Sequence, residues 1–305
     1  MEKDQELLLR RLQKPAGKVD VVLDTDTYNE IDDQFALSYL VKSDEKLCLK
    51  AVYAAPFFND KSTGPADGME KSYQEIIHIF TLLGREDLKQ CAFRGSKDYL
   101  PDENRPVISE AAEDLSKRAM DYTPENPLYV AATGAITNVA SAILLNPAII
   151  DRIVIVWLGG NSYDWYDNRE FNLSQDVAAG RIIFGCGAAV VQLPCMGVVS
   201  AFTTTGPELE YWLRGKNALC DYLTDVTTKE AALCQGTKFW SRAIWDVTAV
   251  GWLLGGDFML DRLEPSPIPQ YDHRYSFDRT RHLIRYVYHI KRDNLFGDLF
   301  TKLAK

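Results

Sequence analysis

Five acidic residues lie within ten positions near the start of the chain: Asp24, Asp26, Glu30, Asp32 and Asp33. An apolar run precedes them directly. Carboxylates held close together repel one another unless a cation or a shared proton relieves the repulsion. The pattern therefore predicts a binding site for a hard cation.

The apolar run at residues 19–23 predicts a short strand. A β-branched run without alternation suits a parallel sheet that is covered on both faces. The acids then lie just past the carboxyl end of this strand, which is the edge where open α/β sheets bind ligands. Taken alone, Asp32 could instead cap a helix that begins near Asp33. That alternative accounts for one acid but not for all five.

Later apolar runs also end in polar residues. Residues 47–55 are followed by Asn59, and residues 128–132 by Thr133 and a turn that reaches Asn138. Helical patterns separate the strands, at residues 33–41, 68–83, 109–121, 176–184 and 217–232. This alternation predicts an α/β fold with a mostly parallel open sheet and helices on both faces. We find no linker or change of composition, so we expect one domain over residues 1–305.

One acid interrupts a late apolar segment. Residues 239–254 have a helical pattern, and Asp246 lies in the middle of it. A carboxylate is rarely buried without a partner. We therefore expect Asp246 to have a partner elsewhere in the chain.

Charge and composition exclude several function classes. The formal net charge is -9, which argues against a nucleic-acid backbone or an anionic membrane as partner. No apolar run approaches the roughly 18 to 20 residues that span a bilayer, and the N-terminus lacks the apolar core of a signal peptide. We expect a cytoplasmic protein with a small-molecule substrate. The six cysteines are scattered singly, so neither a zinc site nor a disulfide framework is indicated.

The ordered motifs resemble those of the inosine-uridine-preferring nucleoside hydrolases. The shared features are an Asp-x-Asp at a strand end, an Asp-Asp pair, a Thr-Gly-x-x-Thr-Asn turn, a Gly-Gly, a Glu-Phe-Asn and a late Asp. Here they are Asp24/Asp26, Asp32/Asp33, Thr133 to Asn138, Gly159/Gly160, Glu170 to Asn172, and Asp246. Each motif alone is weak, but six in the same order over residues 19–300 are specific.

The resemblance implies a nucleoside-hydrolase-like fold and hydrolysis of the N-glycosidic bond of ribonucleosides to base and ribose. It implies a Ca²⁺ ion held by Asp26, Asp33, the carbonyl of Thr133, and Asp246, with Asp26 as the general base. Asp32, Asn59, Glu170 and Asn172 would hold the ribose hydroxyls. A homodimer or homotetramer and a role in purine or pyrimidine salvage are implied in the same way.

Two departures from the family pattern concern the leaving group and the first loop. Many family members have a histidine before the late Asp as the leaving-group acid, whereas this chain has Trp245. Trp245 is a candidate for stacking on the base, and His273 and His282 are candidates for the missing acid. The segment between Asp26 and Asp32 is two residues longer than in the family pattern, so Asn29 or Glu30 could enter the site.

Two other functions fit parts of the sequence. An Asp-x-Asp after an apolar strand also occurs in Mg²⁺-dependent phosphatases of the haloacid dehalogenase type. Those enzymes have Thr or Val two residues beyond the second Asp, where this chain has Tyr28. The replacement of the leaving-group histidine by Trp245 would instead suit a non-catalytic, Ca²⁺-dependent nucleoside- or sugar-binding homologue.

Overall fold

A computed structural model describes residues 2–235 and 239–305, with a large central β-sheet. In chain order the strands are β1 Val19–Thr25, β2 Leu47–Ala54, β3 Ala92–Arg94, β4 Leu128–Ala132, β5 Ile153–Leu158, β6 Ala189–Leu193, β7 Thr203–Thr205, β8 Ser241–Ala243, β9 Met259–Pro265, β10 Ile268–Pro269, β11 Tyr275–Ser276 and β12 Leu283–Ile290. Eight of them form one sheet in the order β3-β2-β1-β4-β5-β6-β12-β9. All neighbours in it are parallel except β9, which runs antiparallel to β12.

Helices cover both faces of this sheet. They are α1 Glu2–Arg11, α2 Asp32–Val41, α3 Pro65–Leu82, α4 Glu110–Arg118, α5 Thr137–Leu145, α6 Phe171–Gln175, α7 Val177–Gly185, α8 Gly206–Trp212, α9 Ala218–Gln235, α10 Val247–Leu254 and α11 Arg292–Leu303. Among the described residues, no helix is both long and apolar enough to cross a membrane.

The two faces of the sheet bury separate apolar clusters. Val21 and Leu23 of β1 point into a cluster with α2, α3, α9, α10 and α11, whereas Val22 points into a cluster with α4, α5 and α7. Apolar side chains therefore cover both faces of the central strands, and every residue of β4 and β5 is buried. This explains why those strands have continuous apolar sequences. The predicted α/β fold is confirmed.

The strand order reverses at β1. The chain passes from β1 to β2 on one side, and later returns to β4 on the other side of β1. A crevice forms at the carboxyl ends of strands at such a switch point, and open α/β sheets bind their ligands there. The acid-rich loop follows β1 and Thr133 follows β4, so the fold brings them together.

The structure corrects the prediction for residues 239–254. They are not one helix, because residues 241–243 pair with β7 as β8 and α10 begins only at Val247. Asp246 therefore lies at the amino end of α10 and not in the middle of a helix. The antiparallel strand β9 was not predicted, since charged residues interrupt its apolar pattern, as an edge strand permits.

Candidate active site

The acids after β1 line a cavity of about 210 Å³. Asp26 directly follows β1, and a turn begins there in which the N–H of Asn29 donates to the Asp26 carbonyl over 2.7 Å. The cavity is lined by Asp26, Asn29, Glu30, Asp32, Asp33, Thr133, Leu158, Asn161, Arg169, Glu170, Phe171, Asn172, Cys195, Met196, Trp245 and Asp246. Six of these residues are carboxylic acids and one is an arginine, so the cavity favours a cation.

The first turns of two helices, α2 and α10, face this cavity. Asp32 and Asp33 form the start of α2, and Asp246 directly precedes Val247 of α10. The two helices pack against each other, which brings the backbone N–H of Asp246 to 3.4 Å from Asp32 Oδ2. The partial positive charge of a helix N-terminus stabilises nearby anions. The fold thus supports three carboxylates that would otherwise repel one another.

Asp32, Asp33 and Asp246 could hold a metal ion. One carboxylate oxygen from each lies within 4.8 Å of the others, and all three side chains are buried. Asp33 is fixed in place because its Oδ1 accepts hydrogen bonds from Thr133 Oγ1, over 2.9 Å, and from Thr25 Oγ1. Both threonines contact the same oxygen, so neither of them holds Oδ2.

The side chain of Asp26 accepts no hydrogen bond from the described residues. It is 1% exposed, and neither of its carboxylate oxygens accepts a hydrogen bond from the described part of the chain. Burial raises the pKa of Asp26 well above its usual range, and the charges of Asp33 and Asp32 raise it further. A buried, unpartnered carboxylate is costly. A bound cation would remove most of that cost.

Burial and neighbouring acids also raise the pKa of Asp32 and Asp246, the next two acids of the cluster. Burial raises the pKa of Asp32, and the neighbouring Glu30 and Asp33 add to the effect. Burial also raises the pKa of Asp246, with further contributions from Asp32 and Asp33. These four aspartates therefore form a buried cluster whose oxygen ligands and mutual repulsion fit a hard cation.

Asn172 bridges two strand ends at the back of the cavity. Its Nδ2 donates to the carbonyls of Thr133 and Leu158, each over 3.0 Å. A carbonyl oxygen has two lone pairs, so the Thr133 carbonyl retains one for another partner. The amide nitrogen of Asn172 is occupied, and Oδ1 is its remaining polar atom.

Glu170 lines the cavity and also holds the loop around it. Its carboxylate accepts backbone N–H bonds from Gly160 over 2.8 Å, Asn172 over 2.8 Å and Leu173 over 2.9 Å. Gly160 has φ of +73°, and a Cβ there would lie 1.9 Å from the Tyr275 hydroxyl. Glycine is required at this turn for both reasons.

Asn59 is the predicted sugar-binding residue that does not line the cavity. Its Nδ2 donates to Asn29 Oδ1 over 2.6 Å, and its Oδ1 accepts from the backbone N–H of Lys61 over 2.9 Å. The lining residue is Asn29. Asn59 thus contacts the cavity wall through the longer first loop.

The structure does not bring either candidate histidine into the cavity. β12 runs parallel to β6, so His282, just before β12, lies at the amino edge of the sheet, opposite the acids. This contradicts its assignment as leaving-group acid. His273 lies in the turn between β10 and β11, where its carbonyl accepts from the Asn168 N–H over 2.8 Å, and its side chain is not among those that line the cavity.

Several cavity residues were not predicted as site residues. Asn161 follows the Gly-Gly at the end of β5, so the strand-end signal that identified Thr133 would have identified it too. Cys195 and Met196 follow the end of β6, so the same signal applies to them, whereas Arg169 comes from a segment without periodicity and has no such signal. Asn29 and Glu30 both line the cavity, as the longer loop allowed.

A model of the family described as inosine-uridine preferring nucleoside hydrolase matches residues 58–287, more than half of the chain. The chain belongs to this family. The matched region begins after β2, so the acid-rich first loop lies outside it. This agrees with the departure of that loop from the family pattern, whereas Thr133, Glu170, Asn172 and Asp246 lie inside the matched region.

Two curated relatives share part of the chain. A probable ribonucleoside hydrolase of Dictyostelium discoideum is 31% identical over 97 residues, which are 31% of this chain and 28% of that protein. The pyrimidine-specific ribonucleoside hydrolase RihA of Citrobacter koseri is 26% identical over 173 residues, which are 48% of this chain and 55% of that protein. The chain thus matches about a quarter and about half of their lengths.

A solved structure shows the same fold over almost the whole chain. The purine-preferring ribonucleoside hydrolase from Gardnerella vaginalis superposes with a TM-score of 0.76 at 19% identity. The superposition covers 93% of this nucleoside hydrolase family member and 98% of the other chain. The architecture is therefore retained although most side chains differ.

Proposed function

We propose that this protein hydrolyses the N-glycosidic bond of ribonucleosides to free base and ribose, with Ca²⁺ as cofactor. Family membership supports the reaction class. The observation that carries the mechanism is Asp26, a buried carboxylate in the cavity with no hydrogen bond from the described residues to either oxygen. A general base must present such a free carboxylate to water.

The donor set favours Ca²⁺. The proposed ligands are Asp26, Asp33, the Thr133 carbonyl and Asp246, which offer only oxygen atoms, and Ca²⁺ takes six to eight oxygen ligands including backbone carbonyls. When bound, the ion would lower the pKa of a coordinated water and hold the 2′ and 3′ oxygens of ribose. Because Thr25 and Thr133 fix one oxygen of Asp33, its other oxygen would be oriented toward the ion.

The chain's own residues then carry the proton and orient the sugar. Asp26 takes a proton from water as the water attacks the anomeric carbon. Asp32, Glu170 and Asn172 hold ribose hydroxyls, with Asn172 using Oδ1 because its nitrogen binds two carbonyls. Asn59 acts by positioning Asn29. The carboxylates of Asp32 and Glu170 also stabilise the positive charge that builds up on the sugar ring.

Trp245 covers the leaving-group side in place of the family histidine. It lines the cavity directly before Asp246 and packs partly against the apolar core. An indole stacks on a base but has no proton to transfer to it at neutral pH. We therefore expect the best substrates to be those whose base leaves with the least need for protonation.

The test is release of reducing sugar from a panel of purine and pyrimidine nucleosides, with Ca²⁺ and after chelation. We expect release from at least one nucleoside, and its loss on chelation. No release from any nucleoside in the presence of Ca²⁺ overturns the proposed function. Binding of nucleosides without release would identify the non-catalytic homologue, which the Trp245 replacement favours.

Three further expectations concern the protein as a whole, and only the last of them, the oligomeric state, rests on the family resemblance. We propose that residues 1–305 act as one domain, that the protein is cytoplasmic, and that it forms a homodimer or homotetramer. Light scattering of the purified protein measures the last of these, and a monomer at micromolar concentration would contradict it.

A further inference from the structure

The longer first loop adds one acid to the rim of the cavity. Glu30 lines both the catalytic cavity and a second cavity of about 320 Å³ beside it. Its side chain is 38% exposed, whereas Asp26, Asp32 and Asp33 are almost fully buried. Glu30 therefore lies between the deep acids and the outside.

Arg242 holds one half of the Glu30 carboxylate. Arg242 Nη2 donates to Glu30 Oε2 over 2.7 Å and lies 3.6 Å from Glu230 Oε1. No hydrogen bond from a described residue reaches Glu30 Oε1. The ion pair thus fixes the carboxylate on one side and leaves the other oxygen as an acceptor at the cavity rim.

A second acceptor, on the buried side chain of Gln34, lies near Glu30. Gln34 is 4% exposed and lines the second cavity, and its Oε1 has no hydrogen-bond partner among the described residues. Its Nε2 donates to the Glu30 carbonyl over 3.4 Å, which turns Oε1 away from the loop backbone. Glu30 and Gln34 thus both present an acceptor oxygen beside the second cavity, where the donor Lys61 is paired with Glu230.

We infer that Glu30 is a specificity-determining residue that selects nucleosides whose base carries an exocyclic amino group. The inference rests on the proposed function, which places ribose at the deep acids. The base must then extend toward the rim, where Glu30 and Trp245 lie. A carboxylate accepts a hydrogen bond from the 4-amino group of cytosine or the 6-amino group of adenine. It repels the oxo oxygen at the same position of uracil or hypoxanthine.

Two matched substrate pairs test this selection: cytidine against uridine, and adenosine against inosine. Each pair differs in one amino or oxo group. Because the oxo bases are the better leaving groups when no acid protonates them, the selection is measured by the change of the amino-to-oxo ratio of kcat/KM on mutation. Glu30→Gln should lower this ratio by about tenfold in at least one pair, since loss of a hydrogen bond to a charged group commonly has an effect of that size.

Glu230→Gln is the matched control. Glu230 belongs to the same ion-pair cluster and accepts from Lys61 over 2.7 Å, but it lines only the second cavity. We expect this variant to retain the wild-type ratio. An equal ratio in wild type and Glu30→Gln for both pairs overturns the inference.

Binding separates this inference from the proposed hydrolysis. If no nucleoside is cleaved, calorimetric dissociation constants for the same two pairs, with Ca²⁺ present, replace kcat/KM. Preferential binding of the amino member that disappears in Glu30→Gln supports the specificity role although the proposed reaction has failed. Equal binding of both members, or no binding of either, overturns it.

Discussion

Asp26, which follows β1, and Asp176, which lies between α6 and α7, are both buried aspartates, yet their surroundings are opposite. Asp176 is 4% exposed and caps α7, and it accepts hydrogen bonds from Ala179 N–H, Leu100 N–H and Thr137 Oγ1 over 2.7 to 2.9 Å. Asp26 is 1% exposed and accepts none on its side chain from the described residues. Asp176 contributes to the fold, whereas Asp26 is a carboxylate that the fold leaves free for a ligand.

Asp24 lies between these extremes. Its Oδ1 accepts from Asn138 Nδ2 over 2.8 Å, whereas its buried Oδ2 has no partner among the described residues. It does not line the cavity. The number of donors to the carboxylate thus falls from three at Asp176 to one at Asp24 and none at Asp26, and of the three only Asp26 lines the cavity. Unsatisfied polar groups mark function only when they also face a cavity.

The largest effect is expected for Asp26→Asn. This variant removes the proposed base and a metal ligand, so hydrolysis should fall by about 10³-fold or more. The free energy of unfolding of the metal-free protein should stay the same or rise, because a neutral amide replaces a buried carboxyl group without partners. Reducing-sugar release and urea denaturation measure the two quantities. Activity within tenfold of wild type would rule out Asp26 as the base.

Asp24→Asn should change the pH dependence of stability. Burial raises the pKa of Asp24 from 3.8 to about 7, so the folded state keeps a proton that the unfolded state loses, and this residue lowers stability as pH rises from about 4 to 7. The loss is on the order of 4 kcal/mol at pH 8. Denaturation of metal-free wild type and variant at pH 5 and pH 8 tests this. An identical pH dependence would contradict it.

Asp176→Asn should affect stability alone. An amide keeps one acceptor but loses the other and leaves buried donors unpaired, which costs about 2 kcal/mol. Chemical denaturation measures this loss, and Ca²⁺ affinity should stay at the wild-type value. A large loss of Ca²⁺ affinity with unchanged stability would reverse the roles that the comparison gives to Asp176 and Asp26.

The smallest effect is expected for Trp245→His. A histidine at this position restores a titratable group next to Asp246 and would supply a proton to the leaving base. We expect a rise in kcat of about tenfold for substrates with poor leaving groups, and a new pH dependence near the histidine pKa. An unchanged pH-rate profile would show that the leaving group needs no acid here.

Much of the fold follows from the sequence because its main signals are local. The buried parallel strands have continuous apolar sequences, and the apolar run predicted at residues 128–132 matches β4. Residues 239–254 were mispredicted because β8 depends on pairing with the distant β7. Such pairing overrides an apolar helical pattern and leaves no mark in the local sequence.

The site was predictable where its residues follow strands. Asp26, Asp33 and Thr133 come together because parallel strands share a carboxyl edge, and the family order of motifs added Asp246. The positions of Asn59 and His282 could not be predicted in this way. Asn59 follows β2 but turns toward Asn29, and His282 precedes its strand, so it lies at the wrong edge. Whether such a residue reaches the cavity depends on where its side chain points and on which end of the strand it occupies.

Titration calorimetry with Ca²⁺ on wild type, Asp26→Asn and Asp176→Asn tests the central claim most directly. We predict one bound ion per chain in wild type and in Asp176→Asn with similar affinity, and at least tenfold weaker binding in Asp26→Asn. Wild-type affinity in Asp26→Asn, or no Ca²⁺ binding in wild type, would show that the free carboxylate after β1 does not serve a calcium ion.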